Sequence, residues 1–306
     1  MNISTSDSAS IQPFIEKLHI PSSDSHKGQN GRVLIIAGSS LFHASAIWAS
    51  DTASHFVDHV HFASTNENNQ ILTEMKKCFH NGIVIARTQI DDYIQEDDSI
   101  LLGPGMIRGD KSKIQDFTFK DYTEVAAITD EEIYTSAVTK YFIDKYPHKK
   151  FVFDAGALQM MKPEWLLLLQ TPPIITPHQL EFERLFGTEI KSKSNEEKAE
   201  IVRKTSKQFK TIILLKAVED IVSDGEDVFE ISGGNQGLTK GGTGDILAGL
   251  NVALYAKNDP LTAAVLSSYI LKKTADNLEK IYGYWYNNDN LIESIPVIVA
   301  SLLRGA

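Results

Sequence analysis

Between Gly237 and Asp245 the chain sets Gly237, Gly241, Gly242, Thr243, Gly244 and Asp245 within one short stretch. Glycine lets backbone N–H groups turn inward and approach a ligand closely. Directly afterwards, Ile246, Leu247, Leu250, Ala253 and Leu254 fall on one face at helical spacing. A glycine loop that opens a helix is an anion site. Its N–H groups converge, and the helix N-terminus adds about half a positive charge. Phosphate is the anion this geometry suits. Asp245 is the odd member, because a resting carboxylate repels phosphate. It makes sense as a base that takes a proton from a hydroxyl attacking a phosphoryl group. Capping the helix is the other role open to it. The crowding of glycines favours the base.

Five further candidates stand just after apolar runs. The run at 32–37 is followed by Gly38-Ser39-Ser40 and a helix to about residue 57. The run at 99–102 ends in Gly103-Pro104-Gly105-Met106, a sharp bend that leaves room beside bare main chain. After 151–153 comes Asp154, and after 174–175 comes Thr176-Pro177-His178, with Glu181 three residues on. Pro177 suits the first turn of a helix capped by Thr176, which puts His178 and Glu181 on one face. Lys216 follows the run at 211–215 and is a candidate phosphate contact. Plain turn chemistry accounts for each of these singly. Together they line up, because strand ends in open α/β sheets face one crevice.

The remaining elements follow the same alternation. Strands are expected at 60–63 and 83–86, and a hairpin at 220–223 and 228–231 around Asp224-Gly225. Residues 71–79 read as a helix in which Cys78 fills the core. Thr129 and Ser194 each precede a Glu by three residues, and both read as helix-opening capping boxes. Helices at 261–279 and 289–303 close the chain. Residues 1–26 read as a flexible lead, with a short helix near 13–18, and 27–306 as one domain. Strands alternating with helices predict a mainly parallel sheet covered on both faces.

Composition sets limits. The chain has 306 residues, 42 % hydrophobic and 23 % charged, as globular proteins do. A formal net charge of −10 argues against a broad nucleic-acid surface. No apolar run approaches the roughly 18 residues that suggest a membrane span. The polar N-terminus lacks signal-peptide character. One cysteine allows no internal disulfide and fits a reducing cytoplasm. The acidic cluster at 91–98 reads as a solvated surface.

Several motifs occur in the order of a known family: Lys27-Gly28, Gly31-Arg32-Val33, Gly38-Ser39, Leu102-Gly103-Pro104-Gly105-Met106, Asp154-Ala155-Gly156-Ala157-Leu158, Thr176-Pro177-His178-Gln179-Leu180-Glu181-Phe182, Leu215-Lys216 and Gly241-Gly242-Thr243-Gly244-Asp245. From about residue 27 to the C-terminus the chain resembles the NAD(P)H-hydrate dehydratases of the ribokinase-like superfamily. The resemblance implies a three-layer ribokinase-like fold and a repair reaction. ADP or ATP phosphorylates the hydroxyl of hydrated NADH or NADPH, and loss of that phosphate restores the ring double bond. It implies Asp245 as base, with the N–H groups of Gly242, Thr243 and Gly244 on the moving phosphoryl group. Ser45, Gly105, Asp154 and His178 would join Asp245 on the substrate. Lys216, Ala217, Val218, Glu219, Asp220 and Gly244 would hold the nucleotide. Glu181 would position Mg²⁺ through water. A homo-oligomer is the family habit. The chain departs from the family at Phe42-His43-Ala44-Ser45 (usually a glycine-alanine pair), at Gly156 (usually aspartate) and at Ala217 (usually glycine). The epimerase module of fused relatives is expected to be missing. A related kinase for a vitamin-precursor hydroxymethyl group and a non-catalytic nucleotide-binding paralogue are the alternatives.

Overall fold

The computed structural model describes residues 1–76 and 81–305. Ten strands form one sheet: β1 (Asn2–Ser4), β2 (Arg32–Ile36), β3 (His59–Ala63), β4 (Gly82–Val84), β5 (Ser99–Leu102), β6 (Lys150–Phe153), β7 (Ile174–Ile175), β8 (Ile212–Leu215), β9 (Asp220–Ser223) and β10 (Val228–Ser232). Their order across the sheet is β1-β10-β9-β8-β7-β6-β5-β2-β3-β4. From β8 to β4 every pairing is parallel, and β9 runs against both its neighbours. The hairpin of β9 and β10 is the one expected from the turn residues.

The helices are α1 (Gln12–Ile15), α2 (Ala44–Ser54), α3 (Asn66–Met75), α4 (Ile90–Tyr93), α5 (Tyr122–Ala126), α6 (Glu131–Lys145), α7 (Ala155–Gln159), α8 (Gln179–Phe186), α9 (Asn195–Phe209), α10 (Thr243–Lys257), α11 (Pro260–Tyr282) and α12 (Asn288–Arg304). The strands are apolar throughout because both faces of the sheet are covered. Side-chain alternation sorts them into two cores. Val33 and Ile35 join α1–α3 and α10–α12, whereas Leu34 and Ile36 join α4–α9. This is the three-layer fold that the alternation of elements predicts. Among the described residues no helix is long and apolar enough to cross a membrane.

Helix α10 is buried nearly all round. It lies so close to α2 that a Cβ on Gly249 would stand 2.5 Å from the Ala49 carbonyl oxygen. Several local starts follow the expected chemistry and others differ. Ser194 closes the expected capping box with Glu197. At α6 it is Asp130, not Thr129, that caps, since its carboxylate reaches the N–H groups of both Glu132 and Ile133. Helix α3 begins earlier than expected, at Asn66 with Thr65 as cap. Cys78 lies outside the described residues.

The start of the expected lead is held in the fold. Residues 2–4 pair in parallel with β10, Asn2 opposite Glu230 and Ser4 opposite Ser232. Ile3, Ile11, Phe14 and Ile15 are buried, and Phe14 meets Phe229 edge to face at 5.1 Å. Burying such side chains stabilises by about 2 kcal/mol each, which outweighs the local polarity of the segment.

Candidate active site

The chain runs from β2 outward to β3 and β4, then crosses back to lay β5 on the other side of β2. The strand order therefore reverses between β2 and β5, where open α/β sheets form their ligand crevice. The two glycine turns that follow these strands are joined there, Gly38 N–H donating to the Pro104 carbonyl at 2.7 Å. Gly105 has φ +65°, and a Cβ on it would lie 2.7 Å from Ser45 Cβ. Ser45 is in the first turn of α2, and its hydroxyl hydrogen-bonds Asp245. Gly38, Gly105, Ser45 and Asp245 thus form one continuous wall.

The glycine loop is fixed from both sides. Gly242 caps α10 with φ +99°, and a Cβ there would stand 2.3 Å from the Trp48 ring. Only glycine satisfies both the backbone and the space. Asn288 donates to the Gly241 carbonyl at 2.9 Å, and the Thr243 hydroxyl donates to Leu238 and Lys240 carbonyls at 2.8 and 3.0 Å. The Thr243 side chain therefore holds the loop, and its N–H also turns back to the Lys240 carbonyl at 3.5 Å. The first N–H groups of α10 have no intrahelical partner.

Lys216 spans the site. Its Nζ donates to Asp154 Oδ1 at 2.7 Å and stands 3.9 Å from Glu181 Oε2. It also lies 3.5 Å from where a Gly244 Cβ would be. Burial alone would lower the Lys216 pKa, but Asp154, Glu181 and then Asp245 outweigh it and hold the ammonium above its ordinary value. Asp154 is buried and also accepts from the Thr176 hydroxyl at 2.8 Å. Three carboxylates thus face one lysine, and Asp245 takes the strain. Its pKa is pushed up to about 7, first by burial and then by Asp154, with the Ser45 hydrogen bond and Lys216 pulling it back. A carboxylate titrating near neutrality at the mouth of an amide cradle is a general base in waiting.

The helix after β7 differs from the expected one. His178, not Thr176, caps α8: Glu181 N–H donates to His178 Nδ1 at 3.2 Å, and Glu181 Oε2 accepts from His178 N–H at 3.0 Å. Thr176 is instead committed to Asp154. Glu181 Oε1 accepts from Gln159 at 3.0 Å, so both oxygens of this buried carboxylate are in use. Among the described residues no group of three or more His, Cys, Asp or Glu side chains is placed to hold a metal ion. The donors present do not fit a directly bound Mg²⁺; the cation among the carboxylates is Lys216.

The nucleotide candidates divide. Ala217 and Val218 line a recess of about 360 Å³ together with Gly234, Asn235, Thr239 and Lys272. Asp220 does not face it. Its carboxylate accepts from Ala217 N–H at 2.9 Å and from the Ser268 hydroxyl at 2.7 Å, which shapes the turn. Glu219 is exposed and accepts from Asn195 at 2.8 Å. Lys272, missed by sequence reasoning, donates to the Val218 carbonyl at 2.8 Å. The Lys272-Lys273 pair that interrupts the apolar run of α11 is the signal for it. Gly156 also has a reason: a Cβ there would meet the Met106 carbonyl at 2.3 Å, so an aspartate would push the β5 turn away.

Fold and site together define an α/β protein of the ribokinase-like class, with its crevice at the carboxyl ends of the strands. A solved ribokinase-like superfamily protein from Enterococcus faecalis superposes with TM-score 0.77 at 19 % identity, covering 98 % of this chain and 96 % of that one. An ADP/ATP-dependent NAD(P)H-hydrate dehydratase from Bacillus subtilis, co-crystallised with ATP/Mg²⁺, gives 0.74 at 21 %, covering 95 % and 96 %. The chain belongs to the NAD(P)H-hydrate dehydratase family, whose model matches residues 33–297. A bifunctional NAD(P)H-hydrate repair enzyme Nnr of Methanocaldococcus jannaschii is 31 % identical over 288 residues, 90 % of this chain. The chain spans about half of that relative's length, 50 %. An ADP-dependent (S)-NAD(P)H-hydrate dehydratase of Nitrosopumilus maritimus is 28 % identical over 298 residues, 92 % of this chain and 94 % of that protein.

Proposed function

We propose that residues 27–306 form one catalytic unit that dehydrates hydrated NADH or NADPH at the expense of ADP or ATP. The observation that carries this is Asp245, a carboxyl with pKa about 7 at the amide-rich start of α10, beside Lys216. Asp245 as carboxylate takes the proton of the hydroxyl on the hydrated ring. The freed oxygen bonds to the terminal phosphorus, and that phosphorus parts from the nucleotide, leaving AMP from ADP or ADP from ATP. Amides of Gly242, Thr243 and Gly244 stabilise the charge on the moving group. The ring carbon–oxygen bond then breaks and inorganic phosphate leaves. A proton lost from the neighbouring ring carbon supplies the electron pair of the restored double bond.

Ser45, Gly105, Asp154 and His178 form the substrate side in this reading. Ala217, Val218 and Lys272 bound the nucleotide recess, with Lys216 and Gly244 at its phosphate end. The family similarity and the relatives' names support a nucleotide co-substrate. Mg²⁺ would arrive with the nucleotide phosphates, and Glu181 is the residue to test for a water-mediated contact. A cytoplasmic setting suits a reaction that draws on ADP or ATP.

The test incubates the protein with hydrated NADH or hydrated NADPH, plus ADP or ATP and Mg²⁺, and follows recovery of reduced-nicotinamide absorbance. Recovery that requires a nucleotide is expected. No recovery with any of the four pairs overturns the reading.

A further inference from the structure

A second recess opens at the carboxyl ends of β2, β3 and β4, past Gly38 and away from the nucleotide side. Ile36, Gly38, Ser64, Thr65, Arg87 and Met106 are among its walls. The Arg87 guanidinium carbon lies 3.1 Å from the centre of the Tyr134 ring. Its Nε and Nη2 are buried and have no hydrogen-bond partner. A buried cation with unmade hydrogen bonds is costly, and an anion relieves that cost. Glu131, the acid that lines the recess, is occupied: its oxygens accept from Ser40 N–H at 2.9 Å and from the Ser40 hydroxyl at 2.7 Å. The first N–H groups of α3 add positive potential beside Thr65.

The recess is one turn away from the base. Gly38 and Pro104 are joined at 2.7 Å, and Gly105 abuts Ser45, which hydrogen-bonds Asp245. Its enclosed volume of about 20 Å³ admits a phosphate oxygen and not a ring. A dinucleotide with its reacting ring at Asp245 carries phosphate several bonds further along.

We propose that this recess binds a phosphate group of the dinucleotide substrate, with Arg87 as its principal contact. This rests on the dehydratase reading above. The phosphate belongs either to the diphosphate bridge, present in both hydrates, or to the 2′-phosphate of hydrated NADPH.

Arg87→Gln keeps length and removes charge, and Arg87→Lys restores charge. Kinetics with each hydrate and calorimetry with unreacted NADH and NADPH read the effect. In Arg87→Gln, KM is expected to rise tenfold or more (about 1.4 kcal/mol, the loss of a charge-assisted hydrogen bond), while kcat and the affinity for ADP stay within about twofold. Arg87→Lys recovers part of the loss. A rise for both hydrates assigns the bridge, and a rise for hydrated NADPH alone assigns the 2′-phosphate. Unchanged KM for both hydrates in Arg87→Gln overturns the subsite and leaves the dehydratase reading standing. If the wild type turns over neither hydrate, that reading fails and calorimetry decides alone: weaker NADH or NADPH binding in Arg87→Gln keeps the subsite, and equal binding removes it. Retained ADP binding shows that each variant is folded.

Discussion

The two ends of the sheet both bury charge, but they dispose of it differently. At the amino ends most charges are answered, Arg32 Nε being buried without a partner. His61 Nδ1 lies 2.9 Å from Asp97 Oδ1, and Lys149 donates to the Asp97 and Gln95 carbonyls at 2.6 and 2.8 Å. Lys150 donates to the Tyr255 carbonyl at 2.9 Å, near the C-terminal end of α10, and Lys257 stands 3.2 Å from Asp98. At the carboxyl ends, Asp154, Glu181 and Asp245 share Lys216, and the Arg87 donors Nε and Nη2 have no partner. One end is largely balanced and the other gathers three carboxylates on one lysine and leaves two Arg87 donors unmade. Charge gathered in that way destabilises a fold and serves a reaction.

The largest expected difference lies in activity. Asp245→Asn should lower kcat by about a thousandfold, as removal of a general base does, while ADP affinity by calorimetry stays the same. An equal loss from His61→Phe at the opposite end would erase the contrast. Lys216→Met comes next. It leaves buried carboxylates without their cation, so stability should fall by about 3 kcal/mol in urea titration, and nucleotide affinity should fall with it. His61→Phe strands Asp97, whose pKa burial already raises, and should cost about 2 kcal/mol of stability with turnover intact.

The pH dependence is the smallest effect and the sharpest. Asp245 must be ionised to act, so kcat/KM should fall tenfold per pH unit below about 7, and that limb should vanish in Asp245→Asn. Its folded pKa exceeds the ordinary 3.8. Between about pH 4 and 7 the folded chain therefore keeps a proton that the unfolded chain has released. Stability from this group is full at low pH and is lost as pH rises through 7. Asp245→Asn should thus stabilise the protein at pH 8, measured by urea midpoint, and leave it unchanged at pH 4.

Much of the reactive end was legible in the sequence because its signals are local. The glycine loop, the Gly-Pro-Gly bend, Asp154 and Lys216 each sit at the end of an apolar run. The parallel sheet follows from the alternation of those runs with helices. What escaped depends on distant partners. Asn2–Ser4 looks like a polar tail until β10, more than two hundred residues away, offers it an edge. Asp220 looks like a ligand contact until Ser268 and Ala217 claim its oxygens. Thr176 and His178 exchange roles because Asp154 lies within reach of the first. Nothing in its neighbours marks Arg87; Tyr134, which it stacks on, comes from the far side of β5.

Gly249 gives the close fit of α2 and α10 a wider meaning. Ser45 opens one of those helices and Asp245 opens the other, so the spacing of two buried rods trims a pKa that burial and Asp154 have raised. A single methyl on Gly249 would meet the Ala49 backbone and force these two helices to shift against each other. The interior of this protein works as a tuning screw for its chemistry.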